Sequence, residues 1–338
     1  MRGVDEAKVS AWLAEHVEGA EPPFTFELIA GGRSNLTYRV TGVDGRRLVL
    51  RRPPLGHVLA TAHDVAREHK IISAVGTSEV PVAPALGLCT DDSVNGAPFY
   101  VMGFVDGVVL DSPERAEELP EPLRRPASEH LIDVLADLHA LDIDAIGLGD
   151  LARREGYIER QLKRWSAQWE GSKTRELASI DEATKLLAAR IPTQRDTAIA
   201  HGDYRFGNCL TDCSRGRINA VLDWELCTLG DPLADVGYLG VYWARPGMAR
   251  RDNDPTSAAG FPSYEEMVER YARRSGRDVD GIGYYVAFSS WRLAVIAEGV
   301  YARYLHGAMA DEVANLEQTK LGVDQLAEAA LTALRTLP

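Results

Sequence analysis

Short apolar runs in the first hundred residues alternate with polar positions and are bounded by glycine, proline and charged clusters. Such alternation is typical of half-buried strands, because successive side chains of a strand point to opposite faces of a sheet. The three- and four-residue spacing of Val9, Trp12, Leu13 and Val17 instead predicts an amphipathic helix. The pattern thus predicts helices at 5–18 and 61–75 and strands at 24–29, 35–41, 47–52, 85–89 and 98–104.

Helical periodicity dominates the rest of the chain. A proline- and glutamate-rich stretch at 112–126 is predicted to be a connection, after which Ser128 caps a helix that ends at His139. Further helices are predicted at 156–170 and 175–191, and three more between 261 and 338. The predicted fold class is therefore α+β, with a five-stranded antiparallel sheet and one main helix in an N-terminal lobe at 1–106, and a mostly helical lobe at 107–338.

The composition narrows the classes of partner. The 338 residues include 50 acidic and 37 basic side chains, which gives a net charge of −13. This balance argues against nucleic acid or an anionic membrane surface as the main partner, because both require clustered cations. The apolar region at 284–305 contains Arg292, Glu298 and Arg303, so a buried helix is expected there rather than a membrane span.

The same features predict a compartment. The N-terminal residues show no apolar signal region, and the four cysteines lack the spacing of a disulfide framework or a zinc site. Reduced thiols are typical of intracellular proteins, so the cytoplasm is the expected location. The oligomeric state is left open by the sequence.

The stretch from His201 to Glu225 carries the candidate chemistry. It reads His-Gly-Asp-Tyr-Arg-Phe-Gly-Asn, then a polar turn, and then an apolar run that ends in Asp223. Asp203 and Asn208 have the spacing of the catalytic loop of protein kinases. Phosphoryl transfer from ATP needs such a set, because one carboxylate orients the attacking hydroxyl while an amide and a second carboxylate hold Mg²⁺. We therefore predict that Asp203 is catalytic, either positioning the hydroxyl or also taking its proton, and that Asn208 and Asp223 bind Mg²⁺.

His-Gly-Asp in place of His-Arg-Asp resembles the aminoglycoside-phosphotransferase-like branch of the protein-kinase-like fold, whose members phosphorylate small molecules. The resemblance implies a two-lobed kinase-like fold, ATP and Mg²⁺ as cofactors, and a small-molecule hydroxyl as the phosphate acceptor. It also implies a role for Arg205, which stands where many protein kinases have a lysine facing the transferred phosphate. We expect Arg205 to stabilise that group in the transition state.

The third predicted strand ends in two arginines, Arg51 and Arg52. Kinases have the sequence Val-Ala-Ile-Lys on this strand, and Arg51 falls at the lysine position. Arginine binds phosphate as a planar fork rather than as a point charge, so the replacement changes the phosphate contacts. Arg52 takes the position if the register differs by one residue. Glu68 lies on the following predicted helix, where the resemblance implies a glutamate that pairs with the strand-three cation.

Two backbone segments complete the implied nucleotide site. The glycine-rich turn between the first two strands resembles the hairpin that covers ATP phosphates, and the segment after the fifth strand resembles the hinge that binds adenine through backbone groups. The candidate cofactor-binding residues in these segments are Gly32, Ser34 and Asn35 in the hairpin and Met102, Gly103 and Val105 in the hinge.

Two further stretches narrow the resemblance. Gly-Tyr-Ile-Glu-Arg-Gln-Leu-Lys-Arg-Trp from Gly156 and Ala-Glu-Gly-Val-Tyr-Ala-Arg from Ala297 resemble a kinase-like domain that occurs alone in many bacteria and fused to acyl-CoA dehydrogenases in some larger proteins. The fused members imply phosphorylation of hydroxyacyl-CoA thioesters, whereas an aminoglycoside suits the acidic composition. Two non-catalytic hypotheses also stay open: a nucleotide-binding pseudokinase, for which Arg51 leaves room, and a partner of a separately encoded acyl-CoA dehydrogenase.

Overall fold

The computed structural model describes residues 1–30, 35–55, 64–245, 253–305 and 316–337 and divides the chain into two units. The first unit consists of Met1–Leu110, Glu117–Gly149 and Phe206–Cys227. The second consists of Asp111–Ala116, Asp150–Arg205 and Thr228–Pro338. The lobe boundary near residue 106 follows from the sequence pattern and stays a prediction.

The described residues form both strands and helices. The strands are β1 (Thr25–Ala30), β2 (Leu36–Thr41), β3 (Arg47–Arg52), β4 (Ala85–Cys89), β5 (Phe99–Gly103), β6 (Ala198–Ala200), β7 (Cys209–Asp212), β8 (Arg217–Val221) and β9 (Thr228–Gly230). The helices are α1 (Glu6–His16), α2 (Val65–Val75), α3 (Asp92–Asn95), α4 (Pro113–Ala116), α5 (Glu121–His139), α6 (Tyr157–Ser172), α7 (Ala178–Ala189), α8 (Leu233–Val241), α9 (Tyr264–Ser275), α10 (Ile282–Leu305) and α11 (Leu316–Thr336).

A five-stranded antiparallel sheet of order β1-β2-β3-β5-β4 organises the first unit. Its strands match the five predicted ones to within one residue at each end. The described part of the second unit is mainly helical, with one short pair formed by β6 and β9. The predicted α+β class and kinase-like architecture are thus confirmed.

Alternation along β3 explains how this sheet is covered. Leu48 and Leu50 are buried and belong to a cluster that also contains Val9 and Leu13 of α1. Burial of such side chains stabilises a fold by roughly 1.5–3 kcal/mol each. Helix α1 starts where the carboxylate of Asp5 accepts a hydrogen bond from a backbone amide of the first turn. The face of β3 that carries Arg51 is opposite to this core, because side chains alternate along a strand.

The prediction for the region before His139 was wrong. Residues 112–126 were expected to form a connection, but they contain α4 and the first six residues of α5. Helix α5 begins directly after Pro120. Its first turn contains a second proline, which is tolerated there because only an amide without a helical acceptor is lost. Ser128 lies inside the helix and does not cap it. Its hydroxyl donates a hydrogen bond of 2.8 Å to the carbonyl of Arg124, one turn earlier in the helix.

Aromatic and aliphatic side chains of α6, α7, α10 and α11 form the core of the second unit. Helix α8 also packs closely on α10: a Cβ atom built on Gly237 would lie 2.5 Å from the carbonyl carbon of Tyr285. Only glycine permits this approach, which fixes the position of α8 against α10. None of the helices that the structure describes combines the length and apolarity needed to span a lipid bilayer.

Replacing Gly237 with alanine should destabilise the protein by about 1–3 kcal/mol, because the new methyl group forces α8 away from α10. Gly322→Ala is the matched control, since Gly322 is also helical and a Cβ there meets no atom within 4 Å. That control should stabilise the chain by about 0.5–1 kcal/mol through helix propensity. Urea denaturation of both variants measures the difference, and equal midpoints would contradict the close packing of α8.

Candidate active site

The hairpin of β7 and β8 brings the two predicted metal ligands to one end of the first unit's second sheet. Cys209 lies opposite Val221, and the amide of Leu222 donates a 2.8 Å hydrogen bond to the carbonyl of Asn208. Asn208 and Asp223 therefore stand just beyond the paired strands, on neighbouring chain segments. Amide and carboxylate oxygens are ligands that Mg²⁺ accepts, with phosphate oxygens and water completing the shell. The donor set fits Mg²⁺.

Asp223 has an unusual backbone. Its φ angle is +61°, and it is the one non-glycine residue with positive φ among the residues that the structure describes. Aspartate tolerates this left-handed region better than most residues, yet the conformation still costs free energy. Such conformations cluster at functional sites, where surrounding contacts enforce them. At Asp223 one such contact is an ion pair with Arg51.

Arg51 joins two carboxylates within the first unit. Its Nε lies 2.9 Å from Oε2 of Glu68, and its Nη2 lies 2.6 Å from Oδ1 of Asp223. A third carboxylate oxygen, from Glu225, lies 3.7 Å from Nη2. Burial lowers the pKa of Arg51, but the negative charges of Glu68 and Asp223 and the hydrogen bond to Asp223 more than offset this and raise it overall. The guanidinium is therefore always protonated here.

The structure forms the expected pair between Glu68 and the strand-three cation, and the cation is Arg51. Arg52 points elsewhere, because its guanidinium contacts the carbonyls of Gly3 and Pro53. Alternation along β3 places the two arginines on opposite faces of the sheet. The roles of Arg51 and Glu68 toward a nucleotide stay predictions.

Glu68 is held from two further directions. Asn35 donates a 2.5 Å hydrogen bond from Nδ2 to Oε1, and Tyr100 donates a 3.0 Å bond from its hydroxyl to Oε2. Burial raises the pKa of Glu68, while Arg51, Tyr100 and Asn35 act against that rise. Tyr100 was missed in the sequence. Tyr100 lies directly opposite Arg51 in the register of β3 and β5, and the sequence pattern does not specify that register.

The backbone amides of the hinge segment differ in their hydrogen bonding. The amide of Gly103 donates a hydrogen bond to the carbonyl of Pro84 at 2.8 Å. The amide of Phe104 donates one to the carbonyl of Arg47 at 3.3 Å. Met102 lies within the paired part of β5. Among the described residues, the amide of Val105 has no hydrogen-bond partner. Gly32 and Ser34 lie outside the described residues, so their predicted contacts with phosphates stay predictions.

In the second unit, the loop that carries Asp203 is fixed through its backbone. The two carboxylate oxygens of Asp235 accept hydrogen bonds from the amides of His201 at 2.6 Å and Gly202 at 2.8 Å. From α10, Nη2 of Arg292 donates a 2.7 Å bond to the carbonyl of Gly202. The amide of Asp203 donates to Nδ1 of His201 at 3.2 Å. The backbone that leads into Asp203 is thus held by Asp235 and Arg292, which preorganises the carboxylate.

The side chain of Asp203 has cationic and phenolic neighbours. Nε of Arg205 lies 3.4 Å from Oδ1 of Asp203, and the guanidinium of Arg205 stacks over the ring of Tyr242 at 4.8 Å. The guanidinium of Arg292 lies 4.7 Å from the ring centre of Tyr238. Burial, followed by the charge of Asp203, raises the pKa of Tyr238 well above its usual value, so its hydroxyl keeps its proton and donates a 3.4 Å hydrogen bond to the hydroxyl of Tyr242.

Sequence reasoning identified Asp203 and Arg205 but not Tyr238, Tyr242 or Arg292. The two tyrosines are four residues apart at the end of α8, a spacing that places them on one helix face. That spacing could have grouped them. Nothing in the sequence connects Arg292, ninety residues further along the chain, with the carbonyl of Gly202.

Comparison with known proteins identifies relatives over most of the chain. A family model described as "Phosphotransferase enzyme family" matches residues 25–274. Acyl-CoA dehydrogenase family member 10 of Mus musculus is 36% identical over 308 residues, which cover 88% of this chain and 28% of that protein. Acyl-CoA dehydrogenase family member 11 of Gallus gallus is 35% identical over 319 residues, which cover 91% and 40%. The chain therefore spans less than half the length of these relatives.

Solved structures share the whole fold. A crystal structure from Ralstonia eutropha, provisionally named an aminoglycoside phosphotransferase, is 33% identical with a TM-score of 0.82, and 98% of each chain is covered. A choline kinase from Cryptosporidium parvum has a TM-score of 0.61 at 11% identity, with 98% and 99% covered. An aminoglycoside phosphotransferase in a complex with ADP and hygromycin B has a TM-score of 0.61 at 18% identity, with 95% and 98% covered. The last two likenesses show the fold alone.

The contacts of Asp235 predict a measurable loss of stability. Asp235→Asn should lower the free energy of unfolding by about 1.5–3 kcal/mol, because asparagine has one acceptor oxygen for two backbone amides and turns its own NH₂ toward the second. Asp196→Asn is the control, because its side chain is 48% exposed and its ion pair with Arg277 is screened by water. Chemical denaturation compares the two, and a loss as small as that of the control would contradict the bracing role of Asp235.

Proposed function

The chain belongs to the phosphotransferase enzyme family, and from that premise we propose that it transfers the γ-phosphoryl group of Mg·ATP to a hydroxyl of a small molecule. The family and the fold place it among phosphotransferases with an alcohol group as acceptor. The observation that best supports a working kinase is the pair of contacts from Arg51 to Glu68 and Asp223. A guanidinium held between these two carboxylates suits a site that binds nucleotide phosphates, because such a cation can contact phosphate oxygens.

Residues of the first unit are assigned to the nucleotide. Asn208 and Asp223 would hold Mg²⁺, which when bound neutralises phosphate charge and orients the γ-phosphoryl group. Arg51 would contact phosphate oxygens, since guanidinium groups bind them through paired N–H donors. The free amide of Val105 would donate to the adenine ring. These roles rest on the contacts described above together with the motif spacing.

Residues of the second unit are assigned to the acceptor and the transferred group. Asp203 would orient the acceptor hydroxyl for in-line attack and is the carboxylate available for its proton. The new bond joins the acceptor oxygen to the γ-phosphorus, while the bond between that phosphorus and the β–γ bridging oxygen breaks and ADP leaves. Arg205, beside Asp203, would stabilise the charge on the transferred group.

A hydroxyacyl-CoA is the acceptor that we propose first. The named relatives are acyl-CoA dehydrogenase family members, and the alignments to them cover 88% and 91% of this chain. Local charge supports the same choice, because the guanidinium groups of Arg205 and Arg292 lie around Asp203 and disfavour a polycationic acceptor. An aminoglycoside is the second candidate, favoured by the solved relative at 33% identity and by the net charge of −13.

The first test is ADP release in Mg·ATP with a panel of acceptors. Hydroxyacyl-CoAs of short and medium length are expected to stimulate release, and the same acyl-CoAs without the hydroxyl should not, since they lack the attacking oxygen. Asp203→Asn should reduce the stimulated rate about 10²–10⁴-fold. Aminoglycosides, choline and homoserine complete the panel.

Stimulation by an aminoglycoside alone would replace the proposed acceptor class. ATP binding without stimulation by any acceptor would favour a pseudokinase or a non-catalytic partner of an acyl-CoA dehydrogenase. In that case co-purification with such a dehydrogenase, with and without ATP, becomes the next measurement. Failure to bind ATP would contradict the kinase proposal itself.

Arg205→Ala separates transition-state stabilisation from ground-state binding. We expect kcat to fall about 10²–10³-fold with little change in the KM for ATP, because the guanidinium acts on charge that develops during transfer. Arg195→Ala removes an arginine of the same unit whose side chain is 69% exposed, and its kinetics should match those of the wild type. An increase in KM with unchanged kcat would make Arg205 a simple binding residue.

A further inference from the structure

The carboxylate of Glu68 has donors on both oxygens besides Arg51. The side-chain amide of Asn35, next to β2, donates a hydrogen bond to Oε1, and the hydroxyl of Tyr100, on β5, donates one to Oε2. The three residues are almost completely buried, with exposures of 2% for Glu68, 2% for Asn35 and 3% for Tyr100. An ordinary glutamate–cation pair in a kinase-like site needs only the strand-three cation. The two extra donors therefore call for a physical reason.

The reason lies in the geometry of arginine. A guanidinium and a carboxylate preferentially form a bidentate pair with two parallel N–H···O contacts, which a lysine ammonium cannot do. In this chain Arg51 does not form that pair with Glu68: Nε lies 2.9 Å from Oε2 without a hydrogen bond to it, and Nη2 donates to Asp223 instead. The hydroxyl of Tyr100 and the amide of Asn35 occupy the lone pairs that a bidentate Arg51 would use.

We propose that Tyr100 is a positioning residue for Arg51, with Asn35 in the same role at the other oxygen. Their hydrogen bonds limit Glu68 to a single contact with Arg51 and so leave Nη2 for Asp223 and for nucleotide phosphates. This inference rests on the proposed kinase function. It also explains how an arginine can stand in place of the strand-three lysine. A guanidinium needs a carboxylate partner that cannot bind both of its N–H groups at once.

The chemistry of Tyr100 suits this role. Burial, followed by the neighbouring charge of Glu68, raises the pKa of Tyr100 well above its usual value, so the hydroxyl keeps its proton and donates. The ring has packing contacts of its own, with the ring of His69 edge-on at 6.1 Å. Tyr100→Phe keeps the ring and removes only the donor.

Tyr38→Phe is the matched control. Tyr38 lies on β2 of the same sheet, is 1% exposed, and donates one hydrogen bond of 2.6 Å from its hydroxyl to the carbonyl of Arg2, away from Glu68 and Arg51. Both substitutions remove a buried hydroxyl from a strand tyrosine. A difference between them therefore reports what Tyr100 does for Glu68 rather than the general cost of losing a buried hydrogen bond.

The experiment measures the dissociation constant of ADP by calorimetry, with Mg²⁺ and with EDTA. Tyr100→Phe should weaken ADP binding about tenfold, the factor that corresponds to one charge-assisted hydrogen bond. Tyr38→Phe should stay within about twofold of wild type. In an Arg51→Lys background the effect of Tyr100→Phe should shrink to about twofold or less, because an ammonium has no fork to restrain.

The possible outcomes are distinct. Equal affinities of the Tyr100→Phe and Tyr38→Phe proteins, or the same tenfold loss in the Arg51→Lys background, would overturn the positioning role while leaving the kinase proposal intact. Absence of ADP binding by the wild type would overturn both. Should Tyr100→Phe not fold, Asn35→Ala frees Oε1 instead of Oε2, and the same loss and the same dependence on Arg51 are expected of it.

Discussion

The first unit depends on one buried cation that must be shared between carboxylates far apart in the chain. Arg51 lies on β3, Glu68 on α2, and Asp223 is 172 residues from Arg51 in sequence. Arg51 and Asp223 are 12% and 27% exposed, so removing one partner would leave a charge that water screens only in part. The positive φ of Asp223 is sustained in this setting, since the ion pair holds its carboxylate in place. Chain segments that share no local interaction are thereby tied to the same guanidinium.

The second unit holds the loop that carries Asp203 in a different way. There the fixed groups are backbone amides and a carbonyl, bound by the side chains of Asp235 and Arg292. Binding the backbone sets the direction of Asp203 through groups outside its own carboxylate. The distinction suits the proposed chemistry: a group that neutralises phosphates needs charged partners, whereas a group that orients a hydroxyl needs a fixed direction.

The residues that could be predicted from the sequence are those whose partners are close in the chain or belong to a known spacing. Asp203, Asn208 and Asp223 form a short motif, and the strand pattern placed Arg51, with Arg52 as the alternative, at the end of β3, where Arg51 pairs with Glu68. Tyr100, Tyr238 and Arg292 escaped because their roles arise from strand register and helix packing, which local periodicity does not specify. The start of α5 was missed for another reason: proline and glutamate are usual both in linkers and in a first helical turn.

The contacts that hold the loop carrying Asp203 extend beyond the part of the chain that matches the family model. The family model ends at residue 274, whereas Arg292 lies on α10 and binds the carbonyl beside Asp203. The named relatives align with this chain over 308 and 319 residues, and the Ralstonia eutropha structure covers 98% of it. Because α10 also forms much of the core with α6, α7 and α11, a change in these helices alters the support of the catalytic loop. The position of the Asp203 loop is therefore coupled through α10 to the packing of the C-terminal helices, and divergence of those helices can alter it while the motif itself stays unchanged.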